Sequence, residues 1–134
     1  DCESASCSWK SIAVPKDRMS DASEGYELTT ALFKSSRIKH TALIYDSAML
    51  ARGALEALKE LNIRVPDEVS VACFDDICGN DSTFPALTSM KLDPMMIGEV
   101  IAENLEKMLL HEPHEKCIYI ERELVKRGSS GIAK

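Results

Sequence analysis

Glycine, basic charge and long apolar runs are all in short supply in this chain, and each shortage excludes a class of protein. Only 6 of the 134 residues are glycine, and no glycine-rich phosphate loop or dinucleotide-binding fingerprint is present. No apolar run approaches the roughly 20 residues that span a bilayer. Residues 1–15 lack the basic and apolar regions of a signal peptide, so we expect neither membrane insertion nor secretion.

The charge balance and the number of cysteines exclude further classes of protein. The chain has 16 Lys and Arg against 22 Asp and Glu. DNA-binding surfaces draw their affinity from basic residues that neutralise phosphates, so we expect this chain not to bind DNA by itself. Five cysteines, an odd number, fit a reduced cytoplasmic protein better than a disulfide framework. Their C-x4-C spacings are wider than the knuckles of structural zinc sites, so we expect no metal and no cofactor.

Helical and extended patterns alternate from about residue 20 onward. Apolar residues recur at helical spacing in three segments: 21–35, 47–61 and 94–109. In the third segment they form one stripe that we expect to face the core: Met96, Ile97, Val100, Ile101, Leu105 and Leu109. Short apolar runs predict strands at 40–46, 69–74, 87–92 and 117–120, with 123–125 extending or following the last and 11–14 compatible with another. This alternation predicts an α/β fold with a doubly wound parallel sheet.

Acidic side chains follow two of the predicted strands, at Asp46 and at Asp75–Asp76. Ligands of open α/β sheets bind beyond the carboxyl ends of the strands, which is where these acids fall. The Asp75–Asp76 pair fits two roles equally: a cap for the following turn or an acceptor for ligand hydroxyls and amines. One acid of the pair can also cap while the other binds. A phosphorylated receiver domain is disfavoured, because such domains place their acid pair on a strand before the phosphorylated Asp.

No arrangement of residues is typical of an enzyme. Ser47 stands at the start of a predicted helix, but no His is near it in sequence and no G-x-S-x-G turn surrounds it. A helix N-cap accounts for this serine. We therefore expect a binding protein without catalytic residues.

Four segments together resemble the lactose/galactose repressor (LacI/GalR) family of transcription regulators. They read ARGALEAL at 51–58, IRVPDEVSV at 63–71, FDD at 74–76 and FPALTS at 84–89. Their order, spacing and residue types are similar to the family pattern over 41–98, and the similarity continues to 124–127. The combination of VPDEVSV, FDD and PALT distinguishes these repressors from the periplasmic sugar-binding proteins that share their fold.

The resemblance implies an incomplete periplasmic-binding-protein-like (type I) subdomain. Residues 1–18 are then a poorly defined lead-in, 19–127 the C-terminal effector-binding and dimerisation region, and 128–134 a flexible tail. In this family a helix-turn-helix, absent from this chain, reads DNA, and two subdomains close on a sugar or nucleobase. We expect a cytoplasmic homodimer that senses a small molecule, most simply a carbohydrate. The alternative is a periplasmic-type solute-binding protein.

Position by position, the resemblance implies an effector site at Asp75, Ser47, Ser20 and Leu92. Asp75 matches the acid that commonly bonds the effector, and Ser47 matches a cleft position that is usually Asn. Ser20 stands where some sugar-binding members have an aromatic residue, and Leu92 replaces a frequently polar residue. Ala48 stands where the family nearly always has Asp. These departures indicate a less polar ligand or a degenerate site.

The resemblance also implies a dimer contact formed by Arg52, Thr83 and Phe84. Phe84 is the candidate for a buried anchor at such a contact. An Arg in a mostly apolar contact requires an acidic or backbone partner. Alone, Arg52 is equally a solvated charge on a helix.

Overall fold

The computed structural model of the chain describes residues 11–14, 20–35, 40–77 and 79–132. Its elements are α1 (Ala22–Ser35), β1 (Ala42–Tyr45), α2 (Ala48–Glu60), β2 (Ser70–Cys73), β3 (Thr88–Lys91), α3 (Pro94–Leu109) and β4 (Glu123–Val125). The three predicted helices are confirmed, as are the strands predicted at 40–46, 69–74 and 87–92. The poorly defined lead-in of residues 1–18 lies largely outside the described residues.

The four strands form one sheet in the order β1-β2-β3-β4. β1 pairs with β2 and β2 with β3 in parallel, whereas β4 pairs with β3 in the antiparallel direction. Parallel neighbours require a crossover connection, and α2 supplies the one between β1 and β2. The predicted parallel sheet is therefore confirmed for β1 to β3, and β4 adds an antiparallel edge.

One face of this sheet is covered by helices and the other is partly open. In β1, Leu43 and Tyr45 pack against the core, while Ala42 and Ile44 are exposed. A doubly wound sheet carries helices on both faces. Among the described residues α2 covers one face of the sheet and α1 packs on α2, while no helix packs along the opposite face.

The core lies between α2 and the sheet. Residues of α2 at helical spacing meet the inward residues of β2 and the residue before β3. The buried cluster consists of Ala48, Ala51, Leu55, Leu58, Val69, Val71, Cys73 and Leu87. The alternation of buried and half-buried residues along β2 follows from the two-residue period of a strand.

Two glycines bring α1 and α2 into close contact. A Cβ at Gly53 would overlap the carbonyl oxygen of Ala22, and one at Gly25 would overlap that of Leu50. Only glycine allows backbones to approach this closely.

α1 begins at the Asp21 cap, whose Oδ1 accepts from the Glu24 amide at 3.0 Å.

The third helix departs from its prediction. None of the residues of α3 is buried, and Ile101, Leu105 and Leu109 are exposed. The prediction that its apolar stripe faces the core is wrong for this chain. Periodicity identifies which face of a helix is apolar, but no other helix or strand of the described structure packs along α3. Only its first turns, at Pro94 and Ile97, approach the ends of β2 and β3.

Two further segments differ from their predictions. Residues 117–120 and 11–14 form no strand, although their apolar runs are typical of one, because an isolated extended segment has no ladder partner to fix it. The loose tail predicted at 128–134 also differs at Ser129, which is fully buried. Its Oγ donates to the Val71 carbonyl at 2.6 Å and accepts from the Thr88 amide at 2.8 Å. Ser129 thereby joins β2 to β3.

Candidate functional site

A cavity of about 140 Å³ opens beyond the carboxyl ends of β2 and β3. Its lining is mixed: an aromatic residue, several aliphatic residues, two carboxylates and one guanidinium. The residues are Phe74, Asp75, Asp76, Ile77, Met90, Leu92, Pro94, Ile97 and Arg122. This is the position at which parallel α/β sheets bind ligands. Of the predicted effector residues, Asp75 and Leu92 line it.

Asp75 and Arg122 provide charges of opposite sign at this cavity. The Asp75 side chain is exposed, and Arg122 Nη1 donates to the Phe74 carbonyl at 2.8 Å. A guanidinium has five N–H donors, and a carboxylate accepts through two oxygens. The pair therefore offers both donors and acceptors, which suits a polyhydroxylated ligand.

The two acids of the pair have different roles. Asp76 points into the protein, with its side chain 13% exposed, and forms an ion pair with Arg127 at 2.9 Å between Oδ1 and Nη1. Ser89 Oγ donates to the same carboxylate at 2.7 Å. The hydrogen bonds from Arg127 lower the pKa of Asp76, and the bond from Ser89 adds to this effect. Asp76 is therefore a structural anion, and of the two acids that line the cavity Asp75 is the exposed one.

Three hydrogen bonds hold the backbone around Asp75 in place. Cys73 Sγ donates to the Asp75 carbonyl at 3.1 Å, and Asn80 Nδ2 donates to the same oxygen at 3.0 Å. The Phe74 amide donates to the Tyr45 carbonyl at 3.0 Å. Burial raises the pKa of the Cys73 thiol to about 11, so it stays protonated and able to donate at neutral pH.

Ser47 and Ser20 are placed differently from Asp75. Ser47 caps α2, its Oγ accepting from the Met49 amide at 3.2 Å, as an N-cap does. Tyr45 pairs with Cys73, and both Ser47 and Asp75 come two residues later, so they share one edge of the sheet. Ser20 is exposed ahead of α1. Neither serine lines the cavity.

Ala48, the departure from the family pattern, is fully buried in the core cluster. Its methyl group packs where a carboxylate would lose its hydration.

A second surface brings the predicted dimer residues together. An open groove of about 270 Å³ runs between α2 and the segment 82–84, which we term the contact loop. Its lining residues are Arg52, Leu55, Glu56, Lys59, Ser82, Thr83 and Phe84. The Phe84 side chain is 96% exposed. In the single chain this side chain is therefore available for contact with a partner.

Several residues of the cavity carry no functional signal in the local sequence. Arg122 is flanked by the acids Glu121 and Glu123, which hides it among scattered charges. Phe74 and Met90 fall within the predicted strands at 69–74 and 87–92, and Ile77 follows the acid pair. Arg122 reaches the cavity because β4 runs antiparallel beside β3, which returns the residues before it to the carboxyl end of the sheet. The basic residue just before the last strand was the available signal.

Two further findings concern the part of the chain that the structure describes. No group of three or more His, Cys, Asp or Glu side chains is arranged there to hold a metal ion. Within the same residues no helix has the length and apolar character needed to cross a bilayer.

A cavity at the carboxyl ends of parallel strands, in a sheet with an antiparallel edge, places the chain in the class of α/β subdomains. The profile of the periplasmic binding protein-like domain matches residues 5–130. The chain belongs to this family, and its resemblance to LacI/GalR-type regulators is confirmed by the curated proteins and solved structures that it matches.

Two curated relatives illustrate the similarity. The regulator AscG of Escherichia coli is 38% identical over 93 residues, which are 69% of this chain and 26% of that protein. The regulator GalR of Streptococcus thermophilus is 35% identical over 86 residues, which are 64% of this chain and 26% of that protein. The chain thus spans about a quarter of the length of these relatives.

Solved structures give the same result. A LacI family regulator from Bifidobacterium animalis is 25% identical with a TM-score of 0.79, over 85% of this chain and 42% of that one. The Escherichia coli repressor ascG is 34% identical with a TM-score of 0.68, over 81% of this chain and 39% of that one. The chain spans about two fifths of these structures.

Proposed function

We propose that this chain is the effector-sensing and dimerising part of a LacI/GalR-type transcription regulator, and not an enzyme. The observation that carries the proposal is the cavity in which Asp75 and Arg122 stand over an apolar wall. A sugar hydroxyl donates to the carboxylate and accepts from the guanidinium, while its C–H face lies on Phe74 and Leu92. Ser47 and Ser20 are proposed as outer positions of the same cleft.

The proposed setting is a cytoplasmic homodimer that meets DNA only through a helix-turn-helix elsewhere in a longer protein. Effector binding shifts the equilibrium between two subdomain arrangements. The family membership and the regulators among the relatives support this setting. The net charge of −6 supports a chain that does not itself bind DNA.

Calorimetric titration with galactose, lactose and hypoxanthine tests the effector site. In the longer protein we expect one of these classes to bind and Asp75→Ala to abolish binding. The matched control is Asp67→Ala, which removes an exposed carboxylate at the opposite end of β2. The isolated chain should bind weakly, because it supplies only one wall of the cleft. Unchanged binding by Asp75→Ala would remove this residue from the site.

Sedimentation equilibrium tests the dimer contact. Truncating a buried aromatic anchor costs about 2 kcal/mol or more, which weakens association roughly thirtyfold. We expect this loss for Phe84→Ala. Tyr119→Ala is the control, because Tyr119 is 91% exposed and lies outside the groove. Equal dimer dissociation constants for the two variants would refute the proposed contact.

A further inference from the structure

Asn80 is a buried residue whose hydrogen bonds reach both candidate surfaces. Only 1% of it is exposed. Its Nδ2 donates to the Asp75 carbonyl at 3.0 Å. Its own carbonyl accepts from Thr83 Oγ1 at 2.9 Å and from the Leu87 amide at 2.8 Å. A single residue therefore holds both the backbone beside the cavity and the base of the contact loop.

Further polar contacts hold both ends of the Asn80 link between the cavity and the contact loop. On the cavity side, Asn80 Nδ2 also lies 3.2 Å from Asp76 Oδ1, and Asp76 is held by Arg127 and Ser89. On the loop side, Thr83 Oγ1 lies 2.9 Å from the Pro85 carbonyl as well as from that of Asn80. Asn80 is buried and cannot exchange a lost hydrogen-bond partner for water. We therefore expect a displacement at one end of this set of hydrogen bonds to affect the other end.

Asn80 carries a cost that packing alone does not explain. Its Oδ1 is buried and has no hydrogen-bond partner among the described residues. A buried unpaired acceptor is unfavourable, and in a folded protein it requires an explanation. An apolar residue would fill the same space without this cost but would lose the Nδ2 bonds. What the amide contributes in exchange is its link to Asp75 and Asp76.

We propose that Asn80 is a positioning residue that couples the effector cavity to the contact loop. This inference rests on the proposed function, since it takes the two surfaces to be the effector and dimer surfaces. Effector binding then changes the dimer dissociation constant, and dimer formation changes effector affinity by the same factor. Asn80 itself touches neither the effector nor the partner subunit.

Nuclear magnetic resonance of the ¹⁵N-labelled chain tests the link without any ligand. Thr83→Val removes the hydroxyl at the loop end and keeps the shape of the side chain. The reporter is the Asp76 amide, which belongs to the same peptide group as the Asp75 carbonyl. When Thr83→Val is the only substitution, we expect it to shift this resonance. When Asn80→Ala is also present, we expect Thr83→Val to cause no shift.

Asn104→Ala is the matched control, because the Asn104 side chain also makes two hydrogen bonds to backbone, both to Glu115 in the segment that follows α3. The Thr83→Val shift at Asp76 should persist beside it. If Asn80→Ala does not fold, Asn80→Ser replaces it, since the serine hydroxyl is one atom short of the Nδ2 position. A shift that survives loss of the Asn80 amide, or that is absent from the unsubstituted chain, overturns the proposal. The titrations above test the effector separately, so the two failures are distinguishable.

Discussion

Removing the Arg127 guanidinium should destabilise the fold far more than removing that of Arg64. Arg127 Nη1 and Nη2 lie 2.9 and 3.1 Å from the two carboxylate oxygens of Asp76, and Nη1 also donates to the Leu87 carbonyl at 2.8 Å. The Arg127 and Asp76 side chains are 19% and 13% exposed. Arg64 pairs with Asp67 at 3.6 Å while 69% exposed.

The expected magnitudes follow from burial. Breaking a buried ion pair by removing one partner costs about 3–5 kcal/mol, because the other charge stays behind without hydration. The residual exposure of this pair admits some water, so we expect about 2–4 kcal/mol for Arg127→Met. An exposed pair contributes less than about 1 kcal/mol, which is the limit for Arg64→Met. Methionine preserves much of the aliphatic stem in both variants.

Urea unfolding followed by circular dichroism measures both variants. The slope for a small protein is about 1–3 kcal/mol per molar urea, so Arg127→Met should lower the midpoint by roughly 0.7–4 M. The double variant Asp76→Asn with Arg127→Met should recover part of the loss, because no bare charge remains. Equal midpoint shifts for Arg127→Met and Arg64→Met would refute the reasoning.

Three further predictions concern packing, thiol chemistry and pH. Gly53→Ala should destabilise the chain by about 1–3 kcal/mol, because the added methyl group overlaps α1. Gly98 has open space around it, so Gly98→Ala should stabilise α3 by up to about 1 kcal/mol. Equal melting temperatures for the two variants would contradict this prediction. In the native chain at pH 8, iodoacetamide should label exposed Cys117 and spare buried Cys73, as peptide mass spectrometry would show; comparable labelling would count against the raised pKa of Cys73. Because Arg127 lowers the pKa of Asp76 below 3.8, the stability it contributes is complete above that pH and is lost as the pH falls through the lower folded-state pKa. Asp76→Asn should therefore flatten the dependence of the unfolding free energy on acid pH, and an unchanged profile would argue against it.

The sequence predicts the helices and the first three strands well because their signals are local. Helical spacing, an Asp or Ser cap and a short apolar run bounded by polar residues act over a few neighbours. The same local signal at 117–120 predicts a strand that does not form, since strand formation depends on a distant partner. The antiparallel β4 is settled by its pairing with β3, for example between Ser89 and Val125, across residues far apart in sequence.

The site is predictable only in part, for a related reason. The topological rule for strand ends locates Asp75 and Leu92 at the cavity, but it does not say which acid of a pair turns inward. That choice depends on Arg127, which follows Asp76 by 51 residues. Arg122 reaches the cavity for the same non-local reason. Residues brought in by the last strand therefore escape an inspection of neighbouring sequence.

The hydrogen bonds of Ser129 can form only late in the synthesis of the chain. Its hydroxyl serves Val71 and Thr88, which precede it by 58 and 41 residues. At about 5–20 residues per second, synthesis reaches residue 129 roughly 2–8 s after Thr88. During that interval the start of β3 lacks the bridge that joins it to β2. On the ribosome, then, both central strands are synthesised several seconds before the Ser129 hydroxyl can bridge them.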